Sequence, residues 1–216
     1  MNLFWQKFVD QLIATALLEW VAVILAIAYL LLVIRESLWC WPAAFVSTAI
    51  YVYLFFDVNL YMESFLNAYY LIMAVYGWYQ WQGSNKKNTA KSMVTKINCW
   101  SIKRHVTLIA ITAVIVLISS WVLKQYTDQD FALLDSFTTW FAILATYMVT
   151  QKVIENWLYW IVIDLVSIYL FTLKGFSLTA MLFLCYVVLA VIGWHSWKKR
   201  LMNNLLSQST QQIKIT

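Results

Sequence analysis

The chain alternates between long apolar runs and short polar segments, and seven of the runs are long enough to cross a membrane. A helix needs about 20 residues to span roughly 30 Å of hydrocarbon. The predicted spans are Glu19–Ile34, Cys40–Phe56, Glu63–Gln80, His105–Leu123, Asp135–Thr150, Trp157–Leu173 and Leu178–Trp194. The pattern therefore predicts an all-α integral membrane protein with seven transmembrane helices.

The composition agrees with this reading and excludes several other classes. Apolar residues make up 63% of the 216 residues and charged residues only 12%, and the mean hydropathy is +0.71. A disordered chain, a coiled coil and an ordinary cytosolic enzyme are all more polar than this. The 13 Trp and 13 Tyr residues are more than interfacial belts require, which suggests an aromatic lining inside the protein.

The first three spans repeat in the last three at an offset of 116 residues without a gap. The clearest matches are Trp41 with Trp157, Tyr70 with Tyr186, Gly77 with Gly193, and Trp81 with Trp197. Each unit has three spans, and one linker span separates the two units. The second unit therefore enters the membrane from the same side as the first. We therefore expect two parallel three-helix repeats, related by a pseudo-twofold axis along the membrane normal. Transporters built in this way bind their substrate between the halves near the midplane.

The same pattern divides the chain into five segments. They are an amphipathic N-terminal segment (1–18), the first repeat (19–82), a basic loop with the linker helix and an outer loop (83–134), the second repeat (135–199) and a C-terminal tail (200–216). The short first segment has the polar and apolar faces of a helix lying on the membrane surface.

Basic residues are distributed unevenly between the two sides of the predicted membrane. Twelve of the 15 Lys and Arg residues fall on the side that holds the loop 83–104 and the C-terminus. The positive-inside rule then places the N-terminus outside and the C-terminus in the cytoplasm, as in a multi-pass protein of a bacterial inner membrane. This topology accounts for the net charge of +5, so we expect no nucleic acid among the partners, only the lipid bilayer.

Asp164 is the acidic residue predicted to lie deepest, near the midplane of the sixth span. It shares one helical face with Trp157 and Trp160 at the spacing i, i+3, i+7. A carboxylate in hydrocarbon is costly, so it either binds a functional partner or is hydrogen-bonded within the bundle as packing. Both interpretations remain open from the residues alone.

Two other spans carry polar faces at similar depth. Glu63, Asn67 and Tyr70 share a face of the third span, and Trp41 and Thr48 share one in the second, where Thr48 is the repeat mate of Asp164. Each also has a structural interpretation, such as a helix-start carboxylate or an interhelical hydrogen bond. Together they suit a small, flat, partly cationic ligand, because indole faces attract cations. A phosphate is disfavoured, since no Lys or Arg lies within the spans.

The sequence contains few features that would support enzymatic activity or metal binding. The three cysteines are far apart and both histidines lie at span ends, so no metal, disulfide or cofactor is expected. No H-E-x-x-H motif, P-loop or pair of carboxylates on one face occurs at depth. The sequence therefore indicates a protein that is not an enzyme.

Three short stretches resemble the PnuC family of nicotinamide riboside transporters. They are Glu63–Tyr70, Tyr76–Trp81 and the element Glu155-Asn156-Trp157-Leu158-Tyr159-Trp160, which continues into Asp164. The resemblance extends over nearly the whole chain. It implies a 3+1+3 fold similar to SWEET sugar transporters, facilitated uptake of nicotinamide riboside, trapping by a cytoplasmic kinase and a homotrimer. It also assigns substrate contacts to Asn67, Asn156, Trp157, Trp160 and Asp164, together with Glu63 and Tyr70.

Other functions stay open at this point. Relatives in the family are thought to carry other vitamins, such as thiamine or riboflavin, and thiamine is also a flat cation. A SWEET-like sugar carrier and a membrane scaffold or receptor that transports nothing are further alternatives, although the buried Asp164 argues against a scaffold.

Overall fold

The computed structural model describes residues 17–57, 61–85, 96–126 and 131–213, and these form seven helices. The helices are α1 (Leu17–Ile34), α2 (Cys40–Asp57), α3 (Tyr61–Asn85), α4 (Ile102–Tyr126), α5 (Ala132–Thr150), α6 (Asn156–Leu173) and α7 (Ser177–Ile213). The first half of the protein is defined here as α1–α3 and the second half as α5–α7. Nearly all of the predicted amphipathic segment 1–18 lies outside the described residues.

Six of the seven helices are long and apolar enough to cross a membrane, which confirms six of the predicted spans within the part of the chain described. The remaining helix, α3, has 25 residues and is long enough, but it is the least apolar of the first six helices. Its polar residues include Glu63, Asn67, Gln80 and Gln82. Length and composition alone therefore do not identify α3 as a span.

The helices begin within three residues of the predicted starts, but α7 continues well beyond Trp194, where the prediction ended it. The apolar run ends there, whereas the helix continues to Ile213. Contacts explain part of the extension: Trp197 is fully buried, Leu201 packs on the same cluster, and Arg200 pairs with Glu36. Hydropathy predicts the part of a helix that lies in the membrane, so it does not predict where a helix ends outside the membrane.

The helices pack as a closed ring of six. Helix α2 contacts α1 and α3, α6 contacts α5 and α7, and the ring is completed where α3 meets α5 and α1 meets α7. The linker helix α4 packs on α5 from outside the ring. The only contacts between whole helices of the two halves are thus α3 with α5 and α1 with α7, among the elements described.

Corresponding elements of the two halves occur 116 residues apart. Helices α2 and α6 begin at Cys40 and Asn156, and α3 and α7 begin at Tyr61 and Ser177, which are pairs with this separation. Local packing corresponds as well. The rings of Trp41 and Trp81 meet edge to face at 5.3 Å, and those of Trp157 and Trp197 do so at 5.4 Å.

The segment before α4 is joined to the second half by backbone hydrogen bonds. Asn98 donates to the Lys152 carbonyl at 3.1 Å and accepts from the Ile154 amide at 2.9 Å. One turn into α4, the His105 Nδ1 atom lies 2.9 Å from the Tyr159 hydroxyl on α6. These contacts fix the start of the linker helix to the α5–α6 turn.

Candidate functional site

Asp164 lies near the middle of α6, eight residues from its first residue, which corresponds to about 12 Å along the helix. Only 3% of the residue is exposed. No Lys, Arg or His forms an ion pair with it in the part of the chain that the structure describes. A buried carboxylate without a cationic partner is costly, and either a bound cation or a proton on the carboxyl group would offset that cost.

Asp164 interacts electrostatically with two tyrosines, one from each half. The hydroxyl groups of Tyr70 on α3 and Tyr186 on α7 are both within electrostatic range of its carboxylate. Tyr70 also faces the side chain of Thr146 on α5. Hydroxyl groups from both halves therefore lie in the electrostatic environment of this carboxylate.

Trp160 lies one turn from Asp164 and connects this region to the rest of the interior. It is partly buried and packs against the cluster of Ala142, Ala145 and Ile163, as Tyr70 does. Its other contacts are with the aromatic cluster at the end of the ring. An indole in this position offers a flat face close to a buried carboxylate. We name Tyr70, Trp160, Asp164 and Tyr186 the central layer.

Trp41, Asn156 and Trp157 lie nearer one end of the ring, at the starts of α2 and α6. Trp41 and Trp157 are 2% and 1% exposed and pack with Trp81 and Trp197. Three of their polar atoms are buried without a hydrogen-bond partner: the indole nitrogens of Trp41 and Trp157, and the Asn156 Oδ1 atom. Such groups usually pair with water or a ligand when no protein partner is present.

The remaining predicted residues lie apart from the central layer or bond within their own helices. Thr48 donates to the Ala44 carbonyl at 2.8 Å, and the Asn67 amide donates to the Glu63 carbonyl at 2.9 Å. Glu63 is near the start of α3, about 10 Å along the helix from Tyr70. The nine predicted site residues therefore occupy several levels of α2, α3 and α6 rather than one cluster, and their role in binding stays a prediction.

Sequence reasoning missed Tyr186 and Thr146 as candidate site residues. Tyr186 was recognisable, because the repeat pairs it with Tyr70. Thr146 has no comparable signal, since hydroxyl residues are common in spans and hydrogen-bond back to their own helix. Within the described residues, no group of three or more His, Cys, Asp and Glu is arranged to hold a metal ion.

Comparison with known proteins identifies the family to which this protein belongs. A family model described as "Nicotinamide mononucleotide transporter" matches residues 16–199, which is most of the chain. The chain belongs to this family. The PnuC-family transporters are therefore its relatives, and this protein is a transporter rather than an enzyme.

Curated relatives with two different printed substrates match this PnuC-family chain. The riboflavin/roseoflavin transporter RibM of Streptomyces davaonensis is 26% identical over 175 residues, with 81% of each chain covered. The nicotinamide riboside transporter PnuC of Escherichia coli is 23% identical over 204 residues, covering 83% of this chain and 85% of the relative. Membership of the family is thus shown, and the substrate is not decided by similarity.

A solved structure has the same fold. It is the crystal structure of the vitamin B3 transporter PnuC, which superposes with a TM-score of 0.72 at 19% identity. The match covers 93% of this chain and 88% of that one. The protein is therefore a multi-pass membrane protein with the all-helical PnuC fold.

Proposed function

We propose that this transporter carries nicotinamide riboside across the bacterial inner membrane by facilitated diffusion. The observation that carries the proposal is the buried Asp164 carboxylate, which has no basic partner among the described residues. Nicotinamide riboside is a flat pyridinium cation with a carboxamide and a ribose diol. Its charge pairs with the carboxylate, and its ring fits the face of Trp160.

The tyrosine hydroxyls account for the polar parts of this substrate. Tyr70 and Tyr186 belong to opposite halves and both lie within electrostatic range of Asp164, so in this proposal the ligand is held where the halves meet. In this proposal the route is also lined by the other predicted residues: Thr48 at the level of Asp164, and Asn67, Glu63, Asn156, Trp157 and Trp41 nearer the helix ends. In this proposal α3 crosses the membrane as the seventh span, because its polar face is turned toward the route rather than toward lipid.

The correspondence of helix starts and of the Trp–Trp contacts at 116 residues supports two parallel repeats about a substrate route. Orientation follows the basic residues, with the N-terminus outside and the C-terminus in the cytoplasm. A homotrimer and trapping by a cytoplasmic kinase, both implied by the family resemblance, are part of the same proposal.

Riboflavin is the second candidate, favoured by the similarity to RibM. Riboflavin is flat but uncharged at neutral pH, so it would leave Asp164 without a counterion. The two candidates therefore make opposite predictions about the importance of this carboxylate.

Uptake of radiolabelled nicotinamide riboside into proteoliposomes tests the proposal. Facilitated diffusion predicts that the internal concentration rises to the external one and stops there, with or without an imposed ion gradient. Empty liposomes give the background, and the matched control variant is Trp121→Ala, a Trp on α4 outside the ring with 63% exposure. Accumulation above the external concentration without a kinase, or uptake of riboflavin but not of the riboside, would contradict the proposal.

A further inference from the structure

Ionic contacts between the two halves are concentrated at one end of the ring. Glu36, in the α1–α2 turn, accepts from Lys152 Nζ at 3.2 Å and from Arg200 Nη1 at 3.0 Å. Lys152 lies in the α5–α6 turn and Arg200 on α7, so one carboxylate of the first half binds two cations of the second. Lys152 is only 8% exposed, which shields this contact from water and salt.

Two indole groups join the halves directly below these charges. Trp81 of the first half donates to the Thr150 carbonyl at 3.2 Å, and Trp197 of the second donates to the Val33 carbonyl at 3.1 Å. Lys152 Nζ also lies 4.5 Å from the centre of the Trp81 ring. The charged contacts therefore lie over an aromatic layer that fills this end of the ring.

The opposite end lacks an equivalent connection. Its ion pair joins Lys174 to Asp135 at 2.8 Å, and both residues belong to the second half. Among the residues that the structure describes, no ion pair links the two halves at that end. The two ends thus differ in the charges that hold the halves together.

The backbone at the ionic contacts is also unusual. Glu36 has φ of 54° and Lys152 has φ of 51°, a left-handed conformation that residues other than glycine seldom adopt. The two residues are 116 positions apart in the chain, so they occupy equivalent turns of the two halves and contact each other. Each residue ends its helix in a Schellman motif, with backbone hydrogen bonds from Ser37 to Leu32 and from Val153 to Met148. The two matching caps therefore place the opposite charges of Glu36 and Lys152 against each other.

We propose that Glu36, Lys152 and Arg200 form an ionic latch that closes this end of the substrate route and must break for the route to open there. The inference deepens the proposed function, because it takes the space between the halves as the route. A carrier that exposes its site to each side in turn needs contacts that form in one state and break in the other. The predicted orientation makes this the cytoplasmic end.

Cys40 provides a native reporter of the latch. It is completely buried and belongs to the same cluster as Trp41, Trp81 and Trp197. The other two cysteines, Cys99 and Cys185, are exposed and can be replaced by Ser. In this background the rate at which a maleimide labels purified protein in detergent measures how often the end opens. No ligand enters the experiment, so a wrong substrate assignment would leave its result unchanged.

Weakening the latch should speed the labelling of Cys40. We expect an increase of about tenfold in Glu36→Gln, which corresponds to ~1.4 kcal/mol between closed and open states, and a smaller increase in Arg200→Gln. The matched control is Glu155→Gln, since the Glu155 side chain contacts Trp100 before α4 and His105 on α4. Among the described residues it forms no ion pair with the first half. Exchanging all three charges, with Glu36→Lys, Lys152→Glu and Arg200→Glu together, should bring the rate back toward that of the background.

Thermal unfolding of each variant accompanies the labelling, and Arg200→Gln decides the test if Glu36→Gln does not fold. Labelling of Cys40 within about twofold of the background in the folded latch variants would overturn the proposal. An equal increase in Glu155→Gln would also overturn it, because the effect would then be general loosening of this end.

Discussion

Gly193 on α7 lies against the indole of Trp157 on α6, so close that an added Cβ would come within 2.7 Å of three ring atoms. Gly77 on α3 has the same relation to Trp41 on α2. In both halves a glycine lets two helices approach across a tryptophan ring. This contact limits the distance between the axes of α6 and α7, and this distance affects the shape of the ring interior.

Gly193→Ala should therefore destabilise the protein. Overpacking a close contact costs about 1–3 kcal/mol, whereas replacing a helical glycine by alanine gains about 1 kcal/mol at a site with free space. The clash exceeds the gain, and we expect a lower unfolding temperature, by about 2–4 °C per kcal/mol for a chain of this length. Differential scanning fluorimetry in detergent measures the shift.

A double-mutant cycle with Trp157→Leu isolates the cause. The smaller side chain provides space for the new methyl group, so Gly193→Ala should be neutral or stabilising in that background. An equal loss of stability with and without Trp157 would show that the ring contact is not responsible.

Much of this fold was accessible from the sequence, because apolar runs set the positions of helices in a membrane. The starts of all seven helices and the 116-residue offset were readable in this way. The extent of α7 was not, since Trp197 and Arg200 extend it through contacts with residues far away in the chain. Trp41 was expected at a depth similar to that of Asp164, but it is the second residue of α2 and packs in the aromatic cluster at one end of the ring.

The sequence was less informative about the site. Asp164 is recognisable because a carboxylate within a span is costly. Its electrostatic interaction with Tyr70 and Tyr186 depends on how the two halves meet, which no local pattern encodes. The contact of Glu36 with Lys152 depends on two distant turns for the same reason.

Trp160→Ala should weaken binding of nicotinamide riboside. The loss of stacking between an indole and a desolvated cation is worth ~1–2 kcal/mol, which corresponds to roughly five- to thirtyfold in Kd. Isothermal titration calorimetry on purified protein gives the comparison, with Trp121→Ala as the matched control that should bind as the original does. Unchanged affinity in Trp160→Ala would show that Trp160 contributes to packing and not to binding.

Replacing the carboxylate should have graded effects. Asp164→Asn keeps a hydrogen-bond acceptor and removes only the charge, so we expect a loss of about threefold, or ~0.7 kcal/mol. Asp164→Leu removes both and should reduce affinity further. Riboflavin, if it binds at all, should be unaffected by Asp164→Asn, and an equal loss for both ligands would argue against charge recognition.

Labelling from the two sides of the membrane tests the predicted topology. Single cysteines at Asn88 and Gln212 should react from the cytoplasmic side and a cysteine at Asn2 from the outside, in a background without the three native cysteines. Seven spans require opposite sides for Asn2 and Gln212. Reaction of both from the same side would leave an even number of spans, and α3 would then be the helix that does not cross.

The central claim is that the ring carries a flat cation beside an unpaired carboxylate, and competitive calorimetry with three ligands tests it most directly. Nicotinamide riboside should bind about tenfold more tightly, or more, than either nicotinamide mononucleotide or riboflavin. This ratio of Kd values corresponds to a difference of ~1.4 kcal/mol in binding free energy. The mononucleotide would bring a phosphate beside Asp164, which has no ion-pair partner among the described residues. Equal affinity for riboside and mononucleotide, or tighter binding of riboflavin, would contradict the account.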